Sequence, residues 1–238
     1  MKELEPTRVV LTCATPIVLT EFAPQFDALI YEALTQATDL SHEDILLKMK
    51  SMLQFNEQFG VFHASSMRFV IKPEEGLTTS IYCRTDSHRD LFFSQNYLPN
   101  GVGGRRYSGV MTAGGAYKSR LNERLAYKSP FVAFDTVCNP VVIKNVLLNS
   151  FVGVGYDAFS VGMGEITNVT TIALEDDVSI SFNKQARRNI PVGAISECES
   201  ERTQSPLVPP YFSKEGLVEC YSASRVSIIS AQNIGKAI

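Results

Sequence analysis

The 238-residue sequence lacks several features that would place it directly in a functional class. It contains no Gly-Lys-Ser or Gly-Lys-Thr step, which excludes a P-loop for nucleoside triphosphates. Its five cysteines form no Cys-x-x-Cys pair, so neither a zinc knuckle nor a disulfide framework is expected. Only three histidines occur, and none are paired at short spacing. We therefore expect no metal, no cofactor and reduced thiols in a cytoplasmic protein.

Long apolar runs and an excess of positive charge are also missing. No stretch approaches the roughly 18 apolar residues of a membrane-spanning helix, so no membrane association is expected. Residues 1–6 lack the basic-then-apolar order of a signal peptide. The net charge of −3 argues against nucleic-acid binding over the whole surface. These values leave room for a local basic face.

Hydrophobic periodicity predicts an α+β fold. Phe26 to Ala37 carries an apolar stripe at helical spacing, with Pro24 in its first turn, and Asn139-Pro140 is typical of a second helix start. A strand at 139–148 stays open, because valine and isoleucine are middling helix formers. The predicted strands are 8–14 continuing through 17–19, 62–71, 79–84, 131–137, 170–174 paired with 178–182, and a final strand near 226–229, with a short helix near 43–49. This order is that of a ferredoxin-like or RRM-like βαββαβ domain.

Residues 94–128 differ in composition from the rest of the chain. Six basic residues accompany a single acid, Glu123, and tyrosines and glycines interleave with them. RNA phosphates favour such a cluster, and tyrosine rings stack on unpaired bases. The alternative is a solvated hairpin with ordinary surface charge. The RNA-binding candidates here are Arg105, Arg106, Tyr107, Tyr117, Lys118 and Arg120.

A glycine-rich stretch at 151–166 matches the G-x-G-x-x-(G/A) dinucleotide fingerprint by letter. Such a site needs a strand before the glycines and a helix after them, and neither is predicted here. Two interpretations stay open. The glycines form a bend or bulge, or their exposed amides meet a nucleic-acid phosphate backbone. The candidates for the second interpretation are Gly153, Gly155, Tyr156, Ser160 and Gly162.

Two smaller groups complete the candidate site. Lys184, Arg187 and Arg188 form a second basic cluster that fits RNA phosphates, or else a salt-bridged surface facing the glutamates of 197–201. His63 and Ser65 lie in a His-Ala-Ser-Ser step beside a strand. There the histidine is suited to hydrogen-bond RNA or to act as a general base, or else to a structural role.

Several motifs in family order give the chain a resemblance to the RAMP proteins of CRISPR systems. They include the helix at 139–150 followed by Phe-Val-Gly-Val-Gly and Ser-Val-Gly-Met-Gly-Glu-Ile. More narrowly, the chain resembles the Cas-five-type (Csf three) subunits of type IV effector complexes. The motifs of this narrower resemblance are Phe26-Asp-Ala-Leu-Ile, His63-Ala-Ser-Ser, Gly114-Gly-Ala-Tyr-Lys, Arg188-Asn-Ile-Pro-Val and Pro209-Pro-Tyr-Phe.

The resemblance implies a non-catalytic subunit that caps the 5′ handle of the guide RNA (crRNA). It implies contact with the Cas-seven-type backbone subunit, the large subunit and target DNA near the PAM end. It also implies a thumb-like insert, and it divides the chain into 1–93, the insert 94–128, 129–182 with the glycine loop, and a C-terminal extension 183–238. The sequence departs from the family at two positions: Asp157 stands where the family commonly has a cation, and Phe212 stands where the family commonly has tryptophan.

Two other functions stay open at this point. Some Cas-five-type proteins of another CRISPR type process guide RNA, and His63 with Tyr82 or Lys118 supplies residue types for metal-independent cleavage. An assembly adaptor without RNA contact is the other alternative. Incubation of the purified protein with precursor RNA tests the endoribonuclease function. Crosslinking of RNA in an assembled complex tests the adaptor function.

Overall fold

A mixed α+β architecture is formed by residues 3–20, 22–72, 74–86, 120–150, 153–156, 162–211 and 216–234, which the computed structural model describes. The chain divides into two compact units, one of residues 1–80 with 126–238 and one of residues 81–125. Most of the predicted insert lies outside the described residues, so its bounds stay a prediction.

The described residues contain three α-helices and many short strands. The helices are α1 (Phe26–Ala37), α2 (His42–Lys50) and α3 (Pro140–Leu148), and a 3₁₀ helix spans Ala231–Asn233. The strands are β1 (Glu5–Cys13), β2 (Ile17–Val18), β3 (Phe55–Asn56), β4 (Val61–Phe62), β5 (Arg68–Ile71), β6 (Thr78–Asp86), β7 (Arg120–Lys128), β8 (Phe131–Cys138), β9 (Ile166–Ala173), β10 (Ser181–Phe182), β11 (Gln185–Ala186), β12 (Ile190–Pro191), β13 (Arg202–Ser205), β14 (Val218–Tyr221) and β15 (Ile228–Ser230).

A five-stranded sheet with the order β15-β5-β8-β1-β9 is the largest sheet of the described residues. Strand β1 lies between β8 and β9 and is antiparallel to both, with Val9 opposite Phe134 and Thr171. Strand β5 is antiparallel to β8, and β15 adds to the outer edge of β5 in parallel. Helix α1 lies between β1 and β5 along the chain, and α3 lies between β8 and β9.

The main core lies between this sheet and its helices. Alternate strand residues such as Leu11 and Phe134 pack with Phe26 and Ile30 of α1 and with Ile143 of α3 in one buried cluster. The stripe predicted for 26–37 coincides with α1, although Gln25 occupies the N-cap position without a side-chain capping hydrogen bond and Pro24 precedes the first turn. The prediction of a helix after Asn139 is also confirmed. The Asn139 side chain accepts a hydrogen bond from the Val142 amide, and Pro140 occupies the first turn.

The opposite face of the sheet carries a smaller apolar cluster and several charged residues. Val10, Val70 and Ala133 pack there against Ile229 and Ile234 from the C-terminal segment. Because side chains alternate between the faces of a strand, Arg8, Arg68 and Asp135 also lie on this face.

The strand predicted for 62–71 is divided into β4, which ends at Phe62, and β5, which begins at Arg68 in a different sheet. Two further strand predictions are wrong in their partners. The first strand ends at Cys13, and Ile17–Val18 pairs with β7 in a different sheet, with Pro16, which has no amide donor, just before it. The predicted pairing of 170–174 with 178–182 does not form, because β9 pairs with β1 and β10 forms a short hairpin with β11. Both errors concern partners that are distant in the sequence.

The cap of α3 can be tested by substitution. Asn139→Ala removes the side-chain acceptor for the Val142 amide, and we expect the free energy of unfolding to fall by about 1 kcal/mol. Asn139→Asp keeps an acceptor at the same place and is the matched control. Urea denaturation of both variants measures the difference, and equal stability would show that the cap contributes nothing.

Candidate functional site

The glycine turn, residues 153–156 with 162–164, follows helix α3 and precedes β9. Gly155 has φ +100° and Gly164 has φ +60°, which are backbone conformations that side chains disfavour. A Cβ atom on Gly155 would lie 2.4 Å from the Val18 carbonyl oxygen, and one on Gly164 would lie 2.0 Å from the Val154 carbonyl oxygen. Glycine is therefore required here by close approach of the backbone.

Several amides of the glycine turn are bonded within the protein. The Tyr156 amide donates to the Val18 carbonyl at 2.7 Å, and the Val154 amide donates to the Gly164 carbonyl at 2.9 Å. The Gly164 amide donates to Pro16 at 2.9 Å. This contradicts the interpretation that the amides of the turn are free for phosphate at these three positions. The bend interpretation agrees with the geometry.

A cleft of about 690 Å³, called here the glycine-turn cleft, opens beside this turn. Its walls are the beginning of α1, the glycine turn with Gly153, Gly155 and Tyr156, and the C-terminal segment around 204–211. The volume falls in the range of about 300–1,000 Å³ typical of small-molecule and cofactor sites. Three of the predicted site residues therefore share one concave surface, and Gly162 does not line it.

The polarity of the glycine-turn cleft limits what it can bind. Glu32 is the only charged residue among its described lining residues, so the cleft offers no cation for a phosphate. Gln25 also lines it, and the side-chain oxygen of this buried residue has no hydrogen-bond partner among the described residues. An aromatic ring that carries an N–H donor, such as a nucleobase, would fit: its faces would pack on the apolar walls and its N–H would donate to the Gln25 oxygen.

A buried ion pair lies under the cleft and corrects one prediction. Arg188, predicted to bind RNA, is fully buried, and its Nη2 donates to the Asp27 carboxylate at 3.2 Å and to the Tyr211 hydroxyl at 2.8 Å. The Tyr211 hydroxyl donates to the same carboxylate at 2.7 Å. Further donors of Arg188 reach the carbonyl oxygens of Phe62, Ala64 and Leu207. Its guanidinium is thus satisfied inside the protein and is not presented to RNA.

The protonation states follow from this burial. Burial alone would lower the pKa of Arg188, but the adjacent Asp27 carboxylate and Tyr211 hydroxyl raise it above its ordinary value. Burial raises the pKa of Tyr211 well above 10.0. Near neutral pH Arg188 is therefore a guanidinium cation and Tyr211 a neutral phenol.

His63 and Ser65 are held by other residues of the chain. His63 Nδ1 lies 2.5 Å from Asp177 Oδ2, and the Ser179 amide donates to the other carboxylate oxygen at 2.9 Å. Burial would raise the pKa of Asp177, but the hydrogen bonds from His63 and Ser179 outweigh it and lower the pKa. Ser65 is fully buried, and its hydroxyl accepts from the Asp135 amide at 2.8 Å. The prediction that Ser65 contacts RNA is therefore wrong.

The remaining predicted residues lie apart from the glycine-turn cleft or outside the described part. The exposed Lys184 pairs with Glu197, which agrees with the salt-bridged alternative, and the carbonyl of Gly162 accepts from Thr15. The backbone of Arg120 begins β7. Six predicted residues lie outside the described residues, namely Arg105, Arg106, Tyr107, Tyr117, Lys118 and Ser160.

A second, smaller cavity of about 220 Å³ lies on the sheet face opposite the helices. It is lined by the sheet-face arginine cluster, defined as Arg8, Arg68 and Arg187, together with Asp135. Arg8 Nε donates to Asp135 at 2.7 Å, and Arg68 Nη2 donates to the other carboxylate oxygen. Burial is the main cause that lowers the pKa of Arg68 to about 10, although Asp135 opposes the shift.

Sequence reasoning missed Arg8, Arg68 and Asp135, although a signal was present. Each stands inside an otherwise apolar strand, as in Met67-Arg-Phe-Val-Ile and Val132-Ala-Phe-Asp-Thr-Val. A charged residue in such a strand is expected to need a buried partner of opposite charge.

Within the described residues, no helix is both long and apolar enough to cross a membrane. The same part of the chain holds no group of three or more histidine, cysteine, aspartate or glutamate residues arranged for a metal ion. No known protein-family model matches this sequence, and a search of curated proteins finds no match to it.

The buried ion pair makes a strong stability prediction. Arg188→Met leaves the Asp27 carboxylate buried without its cation, and we expect the free energy of unfolding to fall by about 3–5 kcal/mol. Tyr211→Phe removes only the hydroxyl and is expected to cost about 1–2 kcal/mol.

Arg202→Met is the matched control, because Arg202 is exposed and its ion pair with Glu219 lies at the surface. Urea denaturation with a single fitted slope measures all three variants. A loss for Arg188→Met no larger than that of Arg202→Met would contradict the structural role of the pair.

Proposed function

We propose that this chain is a non-catalytic guide-RNA-binding subunit of a type IV CRISPR ribonucleoprotein, built on a ferredoxin-like, RRM-like domain. In this role it caps the 5′ handle of the guide RNA in the cytoplasm and contacts the backbone subunit and the large subunit. The proposal combines the sequence resemblance with three features of the fold.

The first supporting feature is the strand order of the large sheet. Without the added strand β15, the order is β5-β8-β1-β9, and each neighbouring pair is antiparallel. Along the chain these strands and two helices follow the order β1-α1-β5-β8-α3-β9, with β2, α2, β3, β4, β6 and β7 between them. In a βαββαβ domain the first and third strands are central neighbours, and each helix crosses over between parallel strands of the same half. The order of these four strands supports the proposed topology.

The second feature is the position of the glycine turn, and it is the observation on which the proposal depends most. In the RAMP resemblance, a glycine-rich loop follows the second helix of the RRM-type domain and precedes its last strand. Here the glycine turn, which includes Tyr156, joins α3 to β9. It lines the cleft together with Gln25, whose side-chain oxygen has no partner among the described residues. A cleft of this polarity favours recognition of an unpaired base over recognition of phosphate.

The third feature is the place of the basic, tyrosine-rich segment in the fold. Strands β6 and β7 are neighbours in one sheet, and residues 87–119 connect them. In the sequence, the cations of 105–118 therefore belong to the connection between two paired strands. We assign the phosphate contacts of the proposed complex to these cations and the base contact to the glycine-turn cleft.

Charge reversal of the insert tests the RNA proposal. The triple variant Arg105→Glu, Arg106→Glu and Lys118→Glu should weaken binding of a labelled single-stranded RNA that carries a type IV repeat sequence. If all three residues contact phosphates, the slope of log affinity against log salt should become shallower by about 2, by counterion release from a single strand. Fluorescence anisotropy over a salt titration measures both quantities.

A matched control reverses the exposed lysines Lys48, Lys72 and Lys144, which changes the net charge equally. We expect this control to keep most of the wild-type affinity and slope. Equal losses in both variants would show a nonspecific charge effect and contradict the assignment. In the assembled complex, photocrosslinking should place RNA on Tyr156 and on the insert, whereas its absence from this chain would favour the assembly adaptor.

One observation favours a second candidate function, a metal-independent endoribonuclease. The Asp177 carboxylate can only accept a hydrogen bond, so His63 Nδ1 carries the proton and Nε2 of a neutral ring is the basic nitrogen. A carboxylate that orients a histidine in this way is common in general-base catalysis.

RNA cleavage distinguishes the two functions. With labelled precursor guide RNA and EDTA, we expect no cleavage by the wild-type protein, because the proposed subunit is non-catalytic. Cleavage that is lost in His63→Ala but kept in His42→Ala would overturn this expectation. His42 is a suitable control because its ring contacts the Tyr31 hydroxyl, at 3.1 Å, and no carboxylate among the described residues.

A further inference from the structure

The two buried arginine sites of this protein differ in how well they are compensated. Arg188 has a carboxylate, a phenol and four carbonyl oxygens around one guanidinium. In the sheet-face arginine cluster, three guanidinium groups face the single carboxylate of Asp135. Asp135 neutralises one of these charges, and the two that remain are balanced formally only by Glu175 and Asp176 at the exposed rim of the cavity.

The donors of the cluster are also incompletely used. Arg8 donates hydrogen bonds to the Asp135 carboxylate and to the Asn233 carbonyl. Arg68 is 5% exposed and donates to Asp135 through Nη2, but its buried Nε has no hydrogen-bond partner among the described residues. Buried guanidinium donors are costly to leave unpaired, so an unused one beside a cavity marks a place for an acceptor.

Arg187 is the least occupied member of the cluster. Its Nε is buried without a partner among the described residues, and its guanidinium lies 5.3 Å from the centre of the Phe182 ring. Backbone hydrogen bonds fix its position, because its amide donates to Ile180 and its carbonyl accepts from Ser66 at 2.6 Å. The guanidinium is thus preorganised at the edge of the cavity by stacking and backbone bonds.

We propose that Arg68 and Arg187, supported by the charge of Arg8, bind the phosphate group of a phosphate monoester or free phosphate in this sheet-face cavity. A phosphate monoester carries a charge of about −1.5 to −2 at neutral pH, which matches the summed charge of the three arginines and Asp135 without the rim carboxylates. Arginine forks match phosphate oxygens in geometry, and the low solvent exposure strengthens the attraction.

Two acidic residues also line the cavity and oppose the binding of anions. Glu175 and Asp176 are both exposed at its rim, where water and salt screen their charges. They weaken the attraction for any anion, but they act in a higher dielectric than the buried arginines. Desolvation also lowers the pKa of Arg187, and Asp135 partly offsets this effect.

Titration with inorganic phosphate tests this site in the absence of RNA. Isothermal titration calorimetry at constant ionic strength, with chloride as the background anion, should detect binding to the wild-type protein. Arg187→Gln should weaken it by about tenfold or more, the effect of one charged hydrogen bond. Glu175→Gln with Asp176→Asn should strengthen it, a change that a purely structural role would not produce.

Arg202→Gln is the matched control, because Arg202 also lies over an aromatic ring, 5.7 Å from the centre of Tyr221, and it does not line the cavity. We expect its phosphate affinity to equal that of the wild type. No binding to the wild type, or equal affinity in Arg187→Gln, would overturn the proposal. A nucleoside 5′-monophosphate that binds more tightly than inorganic phosphate identifies the attached group as part of the ligand, and equal affinity identifies phosphate alone.

The result is separable from the RNA proposal. The titration uses no RNA, and Arg187 is not one of the residues reversed in the RNA test. Weakened RNA binding with unchanged phosphate binding in the Arg105→Glu, Arg106→Glu and Lys118→Glu variant would support both proposals as independent sites. RNA binding without any phosphate binding would overturn only this one.

Discussion

The buried pair of Arg188 and Asp27 is the interaction on which the arrangement of the candidate site depends. Asp27 belongs to the first turn of α1, and Arg188 carries hydrogen bonds onward to the 62–64 segment, to Leu207 and to Tyr211. The C-terminal segment is thereby fixed onto the helix layer. Because that segment forms one wall of the glycine-turn cleft and α1 forms another, this charge pair joins two walls of the cleft.

Local signals in the sequence predicted the helices well. The apolar stripe defines both ends of α1, and the Asn139-Pro140 step defines the beginning of α3. The role of Arg188 was not predictable in this way. In the sequence it stands beside Arg187 and near Lys184 as one basic cluster, yet its partner Asp27 lies 161 residues away. Only the fold decides which of three neighbouring cations points inward.

The glycine-rich stretch shows why a motif match needs its structural context. Its letters fit a dinucleotide fingerprint, but the preceding element is a helix and the turn leads into strand β9. The glycines are there because the turn passes within contact distance of the Val18 carbonyl. Shape, not charge, is what this turn contributes, and in the proposed complex the positive charge comes from the insert.

Strand β15 has a consequence for the behaviour of the free protein. It pairs with Phe69, Val70 and Ile71 and so occupies the hydrogen-bonding edge of β5. An exposed strand edge is a template for pairing with other chains, and short covering strands are one way in which proteins prevent it. The C-terminal segment therefore covers the β5 edge of the large sheet, which opposes edge-to-edge association there. It also contributes the apolar contacts of Ile229 and Ile234.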